Sequence, residues 1–300
     1  MRNVFFCGDP HGEFDHILSA IREYHPQAVV LLGDLTPSQS LNEIFVDIGN
    51  TQIFWIPGNH DSDSDLIYDR IWRSRFSKMN LHGKVLEVGN LRIAGLGGVF
   101  RGQIWMPPEP PNFATPSQFI QKIGRSGMWR GGLPRRHRTS IFESMIERMS
   151  EMKADVLVTH EAPAVHAKGF AVIDDLAKAM GVKYIFHAHQ HQSRDYGFVD
   201  GIEIRGIGLR GIVDLEGNVI VPAQKDPREL PDYVAVKKRE PKERRRILRI
   251  ELPAGAKLPP GGFKSPHHRG RWSRDSRPQK TGLRQPGRHP QPGRRFQKEG

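Results

Sequence analysis

Phe186-His187-Ala188-His189-Gln190-His191 closes an apolar run that begins at Val182, and the reading of this stretch decides the fold. Residues 182–186, around Lys183 and Tyr184, read as a strand. Residues two apart in a strand share a face, so His189 and His191, at or just past its end, can point at one place. Imidazole is a common metal ligand, but one pair of histidines does not make a site. Alone, the run is a chance group of histidines capping a strand. The upstream sequence changes that reading.

Residues 3–7 read as a buried strand leading into Asp9, Pro10, His11 and Gly12, followed by helical spacing through Phe14, Ile17, Leu18 and Ile21. A second strand, 28–32, ends at Gly33-Asp34. After a helix at 41–48, a third strand, 52–56, ends at Pro57-Gly58-Asn59-His60-Asp61. A helix at 64–76 and a hairpin over 85–96, turning at Gly89-Asn90, come next. A helix at 140–152 leads to a strand at 155–158, which ends at Thr159-His160-Glu161. A helix at 173–180 then leads back to the histidines. Five strands thus end in polar clusters, at the carboxyl ends where open α/β sheets place their chemistry. Carboxylate, carboxamide and imidazole donors suit Mn, Fe(II) or Zn, and the lack of thiolates disfavours structural zinc or iron–sulfur clusters.

The ordered set Asp9-x-His11, Gly33-Asp34, Gly58-Asn59-His60-Asp61, His160 and His189-x-His191 resembles the five blocks of the calcineurin-like metallophosphoesterase superfamily. The resemblance covers about residues 1–221. With the strand-loop-helix alternation, it implies an α/β fold, a four-layer α/β/β/α sandwich. It also implies two divalent metal ions, Mn first, with Fe, Zn or Mg as the others to consider. Asp9, His11, Asp34 and His191 would hold one ion, and Asp34, Asn59, His160 and His189 the other, with Asp34 shared. Two such ions polarise phosphoryl oxygens and activate water at neutral pH, and His60 would donate a proton to the leaving oxygen. Ala188 stands where the family usually has Gly. Leu35-Thr36-Pro37-Ser38 replaces the extension, ending in Arg-Gly, seen in protein serine/threonine phosphatases and diadenosine tetraphosphate hydrolases. The acidic partner that orients the histidine in those phosphatases is therefore missing, and Asp61 and Asp63 are the candidates to replace it.

Charge divides the 300 residues. Residues 222–300 carry 22 basic and 8 acidic side chains, against 23 and 25 in residues 1–221, so the chain's net charge of +12 belongs to the tail. Its Pro, Gly, Arg and Gln content predicts a disordered segment, and its basic residues, with Tyr233, Phe263, Trp272 and Phe296 between them, predict sequence-independent nucleic-acid binding. A solubilising extension without a partner is the plainer alternative. Residues 1–221 form the expected catalytic domain, with 99–138, rich in Gly, Pro, Arg and Trp, as an inserted lid. Within and beside that segment Arg101, Arg135, Arg136 and His137 are candidates to bind substrate phosphate, with a solvated charge run as the alternative. Trp105 and Trp129 could stack on a base or simply pack. His187 reads as a supporting residue, and His16, His25, His82 and His166 fit no block. The single cysteine, Cys7, reads as a buried side chain and excludes an intramolecular disulfide framework. Residues 4–7 are too short for a signal-peptide core, and no run of 18 apolar residues exists. The expectation is a cytoplasmic phosphoesterase acting on a phosphate monoester or diester, with no membrane contact. The alternative is a catalytically silent nucleic-acid-binding or scaffold protein on the same fold.

Overall fold

The structure is a computed structural model, and it describes residues 4–88 and 90–226. Strands β1 (Val4–Cys7), β2 (Ala28–Leu31) and β3 (Gln52–Trp55) are parallel neighbours. In the second sheet β4 (Lys84–Val88) pairs antiparallel with β5 (Leu91–Leu96), and β5, β6 (Val156–Thr159) and β7 (Tyr184–His187) run parallel. The two late hairpins go to different sheets. β8 (Arg194–Val199) and β9 (Ile202–Gly206) join the second, with β9 parallel to β7. β10 (Ile212–Asp214) and β11 (Val219–Val221) join the first, with β10 antiparallel to β1. The strand orders are β11-β10-β1-β2-β3 and β4-β5-β6-β7-β9-β8.

Side-chain alternation along these strands makes the layers. Val4, Phe6, Val30 and Phe54 point from the first sheet to meet Ile93, Val156, Val158 and Phe186 of the second. The Phe6 and Phe186 rings stack there at 4.0 Å. Phe5, Val29, Ile53 and Trp55 face the other way, onto α1 (Asp15–Tyr24), α2 (Leu41–Ile44) and α3 (Asp65–Trp72) through Ile17, Ile21, Leu41 and Ile71. On the far face of the second sheet, Leu157, Ile185 and Ile204 pack with residues of α4 (Pro116–Ile123), α5 (Glu143–Ser150) and α6 (Ala171–Met180). The result is the four-layer α/β/β/α sandwich. Each large apolar side chain buried in it contributes about 1.5–3 kcal/mol.

Several boundaries differ from the sequence reading, for local reasons. β7 covers Tyr184–His187, ending one residue later than expected, and His189 and His191 lie just past it. The helix expected at 41–48 is a single turn, started by the Ser40–Glu43 capping box. The helix expected at 64–76 divides into α3, capped by Ser64, and a 3-10 turn over Arg75–Met79. Residues 99–138, read as irregular, contain α4, which Thr115, Gln118 and Pro116 start with a capping box and a proline in the first turn. Phe100, Ile104, Trp105 and Phe119 anchor this segment in the core. The ordered body continues past 221: the Gln224 N–H donates to the Leu209 carbonyl at 2.8 Å. The expected disorder and nucleic-acid binding of the tail fall on residues outside those described from 227 onward. Among the described residues no helix is long and apolar enough to cross a membrane.

Candidate metal centre

The three candidate loops of the first sheet follow parallel strands, and so do the two of the second, so all five gather at one edge of the sandwich. Two groups of donors form there. Asp9, His11 and His191 bring their ligand atoms within 4.8 Å of one another, as do Asp34, His160 and His189. Asp34 lies between them, its Oδ2 3.8 Å from His11 Nε2 and 3.5 Å from His160 Nε2. Asn59 Oδ1 is 3.2 Å from His160 Nε2, which adds it to the second group. His189 and His191 therefore serve different groups. Their turn away from each other comes from left-handed backbone, φ 69° and 58°, rather than from strand alternation.

Asp9, His11 and Asp34 also have positive φ, 39°, 44° and 49°. Such strain costs about 1–3 kcal/mol per residue and persists where the surroundings enforce it. The glycines before the ligands allow the crowding. A Cβ on Gly33, itself at φ 97°, would lie 2.4 Å from His160 Nδ1, and one on Gly58 would lie 2.2 Å from the Asp34 backbone nitrogen.

The electrostatics fit divalent cations. Asp9 Oδ1 is buried and accepts no hydrogen bond from the described residues, although Asp9 Oδ2 accepts the His189 N–H at 2.8 Å. Burial pushes the Asp9 carboxyl up to about 8. Burial opposes the Asp34 charge too, but His160 and the His60 N–H hold that carboxyl below the usual range. Burial disfavours a charged His160, yet Asp34 and Asp9 push its imidazole up to about 10, so a ring proton answers the negative charge that a divalent cation would answer in its place. Burial holds His189 down at about 3 and His11 at about 4, so both present neutral rings, the form that ligates metal. His160 Nδ1 sits 2.7 Å from the Leu32 carbonyl, which fixes that proton and turns Nε2 toward Asp34 and Asn59.

His60 stands beside the donors, its Nδ1 2.6 Å from Asp63 Oδ2. Of the two candidates, Asp63 is thus the carboxylate that holds His60. Asp61 is buried and accepts the Thr36 and Gly58 N–H groups at 3.0 and 2.8 Å, tying two ligand loops together.

A cleft of about 520 Å³ opens over the second group, lined in part by Asn59, Asp63, Arg101, Arg136, Glu161 and His189. Arg101 donates to the Thr139 carbonyl at 2.6 Å and to Ser140 Oγ. Arg135, also on the cleft, donates to the Ser62 and Asp63 carbonyls and pairs with Asp65. The Arg136 side chain is exposed and makes no hydrogen bond or ion pair among the described residues. His137 does not line this cleft: it is buried, with Nδ1 3.0 Å from Ser140 Oγ and Nε2 3.1 Å from Gln103 Oε1. Trp105 packs in the core and donates to the Glu109 carbonyl, and Arg130 covers the Trp129 ring. His187 is buried outside both donor groups.

The sequence pattern of the calcineurin-like phosphoesterases matches residues 2–193. The chain belongs to the calcineurin-like phosphoesterase family. An uncharacterized protein of Haemophilus influenzae (strain ATCC 51907 / DSM 11121 / KW20 / Rd) is 46% identical to this family member over 220 residues, 73% of this chain and 96% of that protein. Among solved structures, TT1561 of Thermus thermophilus is similar at 14% identity and a TM-score of 0.48, over 74% of this chain and 98% of that one. A dimetal phosphatase from Danio rerio is 10% identical with a TM-score of 0.43, over 72% and 93% of the two chains. The assignment to the family rests on the pattern match and the 46% relative. Two residues at this phosphoesterase's site escaped the sequence reading. Glu161 follows His160 directly and places Oε2 3.9 Å from His189 Nε2, while burial pushes its carboxyl up to about 7. Asp226 lies in a Pro- and Lys-containing stretch with no local signal of a site, and reaches His191.

Proposed function

We propose that the chain is a dinuclear metal-dependent phosphoric ester hydrolase, acting on a phosphate monoester or diester. The observation that carries this reading is the sharing of Asp34 between two oxygen- and imidazole-bearing groups, with His60 beside them. Asp9, His11, Asp34 and His191 would hold one divalent ion, and Asp34, Asn59, His160 and His189 the other. Manganese is the ion proposed first for this carboxylate, carboxamide and imidazole set, which Fe(II) and Zn also suit. When bound, two such ions supply Lewis-acid polarisation of phosphoryl oxygens and lower the pKa of water. The chain's own residues do the rest. Asp63 holds a proton on His60 Nδ1, which leaves Nε2 to deliver another to the leaving oxygen. Arg136 offers an unpaired guanidinium to a phosphate oxygen entering the cleft.

A catalytically silent binding protein would have no chemical need for His60 held by a carboxylate, which weighs against that alternative. The basic tail supports a nucleotide or nucleic acid as substrate class, with sequence-independent binding by residues beyond 226. The single buried Cys7 suits the cytoplasm.

The test is hydrolysis of bis-p-nitrophenyl phosphate and p-nitrophenyl phosphate by metal-stripped protein resupplied with Mn, with His60→Ala alongside. Turnover that needs both Mn and His60 is the expected result, and the ratio of the two rates separates diesterase from monoesterase. Turnover unaffected by metal removal overturns the reading. For the tail, cutting after Glu240 is expected to weaken RNA binding and flatten its salt dependence, and an unaltered salt slope would leave the tail a solubilising extension.

A further inference from the structure

The family pattern ends at residue 193, but the chain returns to the metal centre beyond it. The Leu209 N–H donates to the His191 carbonyl at 3.2 Å, and the Arg210 N–H to the Gly8 carbonyl at 2.9 Å. The Arg210 guanidinium then donates to the Pro10 carbonyl at 3.1 Å and to Gln224 Oε1 at 2.8 Å. Arg210 thereby fastens residues 222–226 to the loop that carries Asp9 and His11. Asp226, at the end of this strap, brings Oδ2 to 2.5 Å from His191 Nδ1, and both side chains are largely buried, 8% and 13% exposed.

We propose that Asp226 is the positioning residue for His191, and that residues 222–226 form part of the Asp9, His11 and His191 metal group. The inference rests on the metal-dependent reading given above. A carboxylate on Nδ1 keeps the ring proton there. Nε2 then carries its lone pair into the site, where it lies 3.0 Å from His11 Nε2 and 3.9 Å from Asp9 Oδ2. His160 has the Leu32 carbonyl for the same task. The two groups therefore differ in what orients a ligand histidine: a backbone carbonyl of the first sheet in one, and a side chain from downstream of the family pattern in the other. Such partners typically change metal affinity 10- to 100-fold.

The test uses full-length, metal-stripped protein titrated with Mn alone, comparing the natural chain with Asp226→Asn and Asp226→Ala. The natural chain is expected to take two ions. In Asp226→Ala one of the two is expected to bind about 10- to 100-fold more weakly, with the other unchanged. Asp226→Asn, whose amide oxygen still accepts from Nδ1–H without the charge, is expected to lie between. A second readout needs no metal: ring 15N shifts of His191 are expected to report an Nδ1–H tautomer that is lost in Asp226→Ala. Two ions bound with natural affinity by Asp226→Ala, or an unchanged tautomer, overturn the inference. Should Asp226→Ala fail to fold, a less than twofold change in Asp226→Asn overturns it. A natural chain that binds no Mn overturns the metal reading itself, so the two failures are distinct.

Discussion

The floor and the rim of the cleft are both lined with polar side chains, yet they use them differently. On the floor and in the donor group beside it, Asp9, His11, Asp34, Asn59, His160, His189 and His191 turn donor atoms toward one another, at the expense of left-handed backbone and a buried oxygen on Asp9 with no hydrogen-bond partner among the described residues. On the rim, Arg101 and Arg135 give their guanidinium protons to backbone carbonyls, and His137, buried behind the rim, closes on Ser140 and Gln103. Arg136 is the rim candidate whose side chain is left for a visitor. A polar residue near a site is therefore informative only once its own hydrogen bonds have been followed. The floor keeps ligand capacity in reserve, whereas most of the rim uses its polar groups to hold loops together.

Substitutions can break or sharpen this contrast. Asp34→Asn should have the largest effect, lowering Mn-dependent turnover by about 10³-fold or more because Asp34 belongs to both donor groups. Near-natural turnover with both ions bound would break the contrast at its centre. His60→Ala should cost about 10²-fold in kcat, and more for esters with poor leaving groups, since a proton donor matters most there. Equal losses across a leaving-group series would remove His60 from that task.

The rim should respond in stability instead. Arg135→Ala is expected to lower unfolding free energy by about 1.5–3 kcal/mol, read by urea denaturation, because the Ser62 and Asp63 carbonyls lose a charged donor. His137 adds a pH dependence with a defined sign. Burial, with Arg101 and Arg136 nearby, holds its imidazole at about 4, below its ordinary 6.5. Between those values the unfolded chain takes up a proton that the folded chain refuses, so its contribution to stability is full above 6.5 and is lost as pH falls toward 4. The slope is at most about 1.4 kcal/mol per pH unit. His137→Gln should flatten denaturation midpoints over that range, and an unchanged slope would detach His137 from acid sensitivity. The smallest effect is expected for Arg136→Ala, a several-fold rise in KM with kcat and stability held. A loss of stability there would return Arg136 to the rest of the rim.

Legibility followed physical range. The strand ends could be read because a short apolar run and the polar residues after it are local properties of the chain. All five motif strands are present, with ends shifted by a residue or two. The turn residues of the two late hairpins, Asp200-Gly201 and Glu216-Gly217-Asn218, are legible in the same way, since turn chemistry is local. Their destinations are not, because a turn carries no record of which sheet its strands will join. Asp63 and Asp61 looked equivalent in the sequence. Only the path of the backbone gave one to His60 and the other to the Thr36 and Gly58 N–H groups.

By itself, then, the sequence determined the strand-loop-helix alternation, the order of the candidate ligand blocks and the kind of donors they offer, since residue type and spacing suffice for each, whereas the four layers were implied by the resemblance to the family. The tertiary structure alone decided how closely His11 and His191 approach, which arginine over the cleft has no partner among the described residues, and that a strap ending at Asp226 returns to His191. Those outcomes depend on residues brought together from distant parts of the chain. His191 and Asp226 are 35 residues apart and His11 and His191 are 180 apart, and nothing in either local sequence encodes that distance of 2.5 or 3.0 Å.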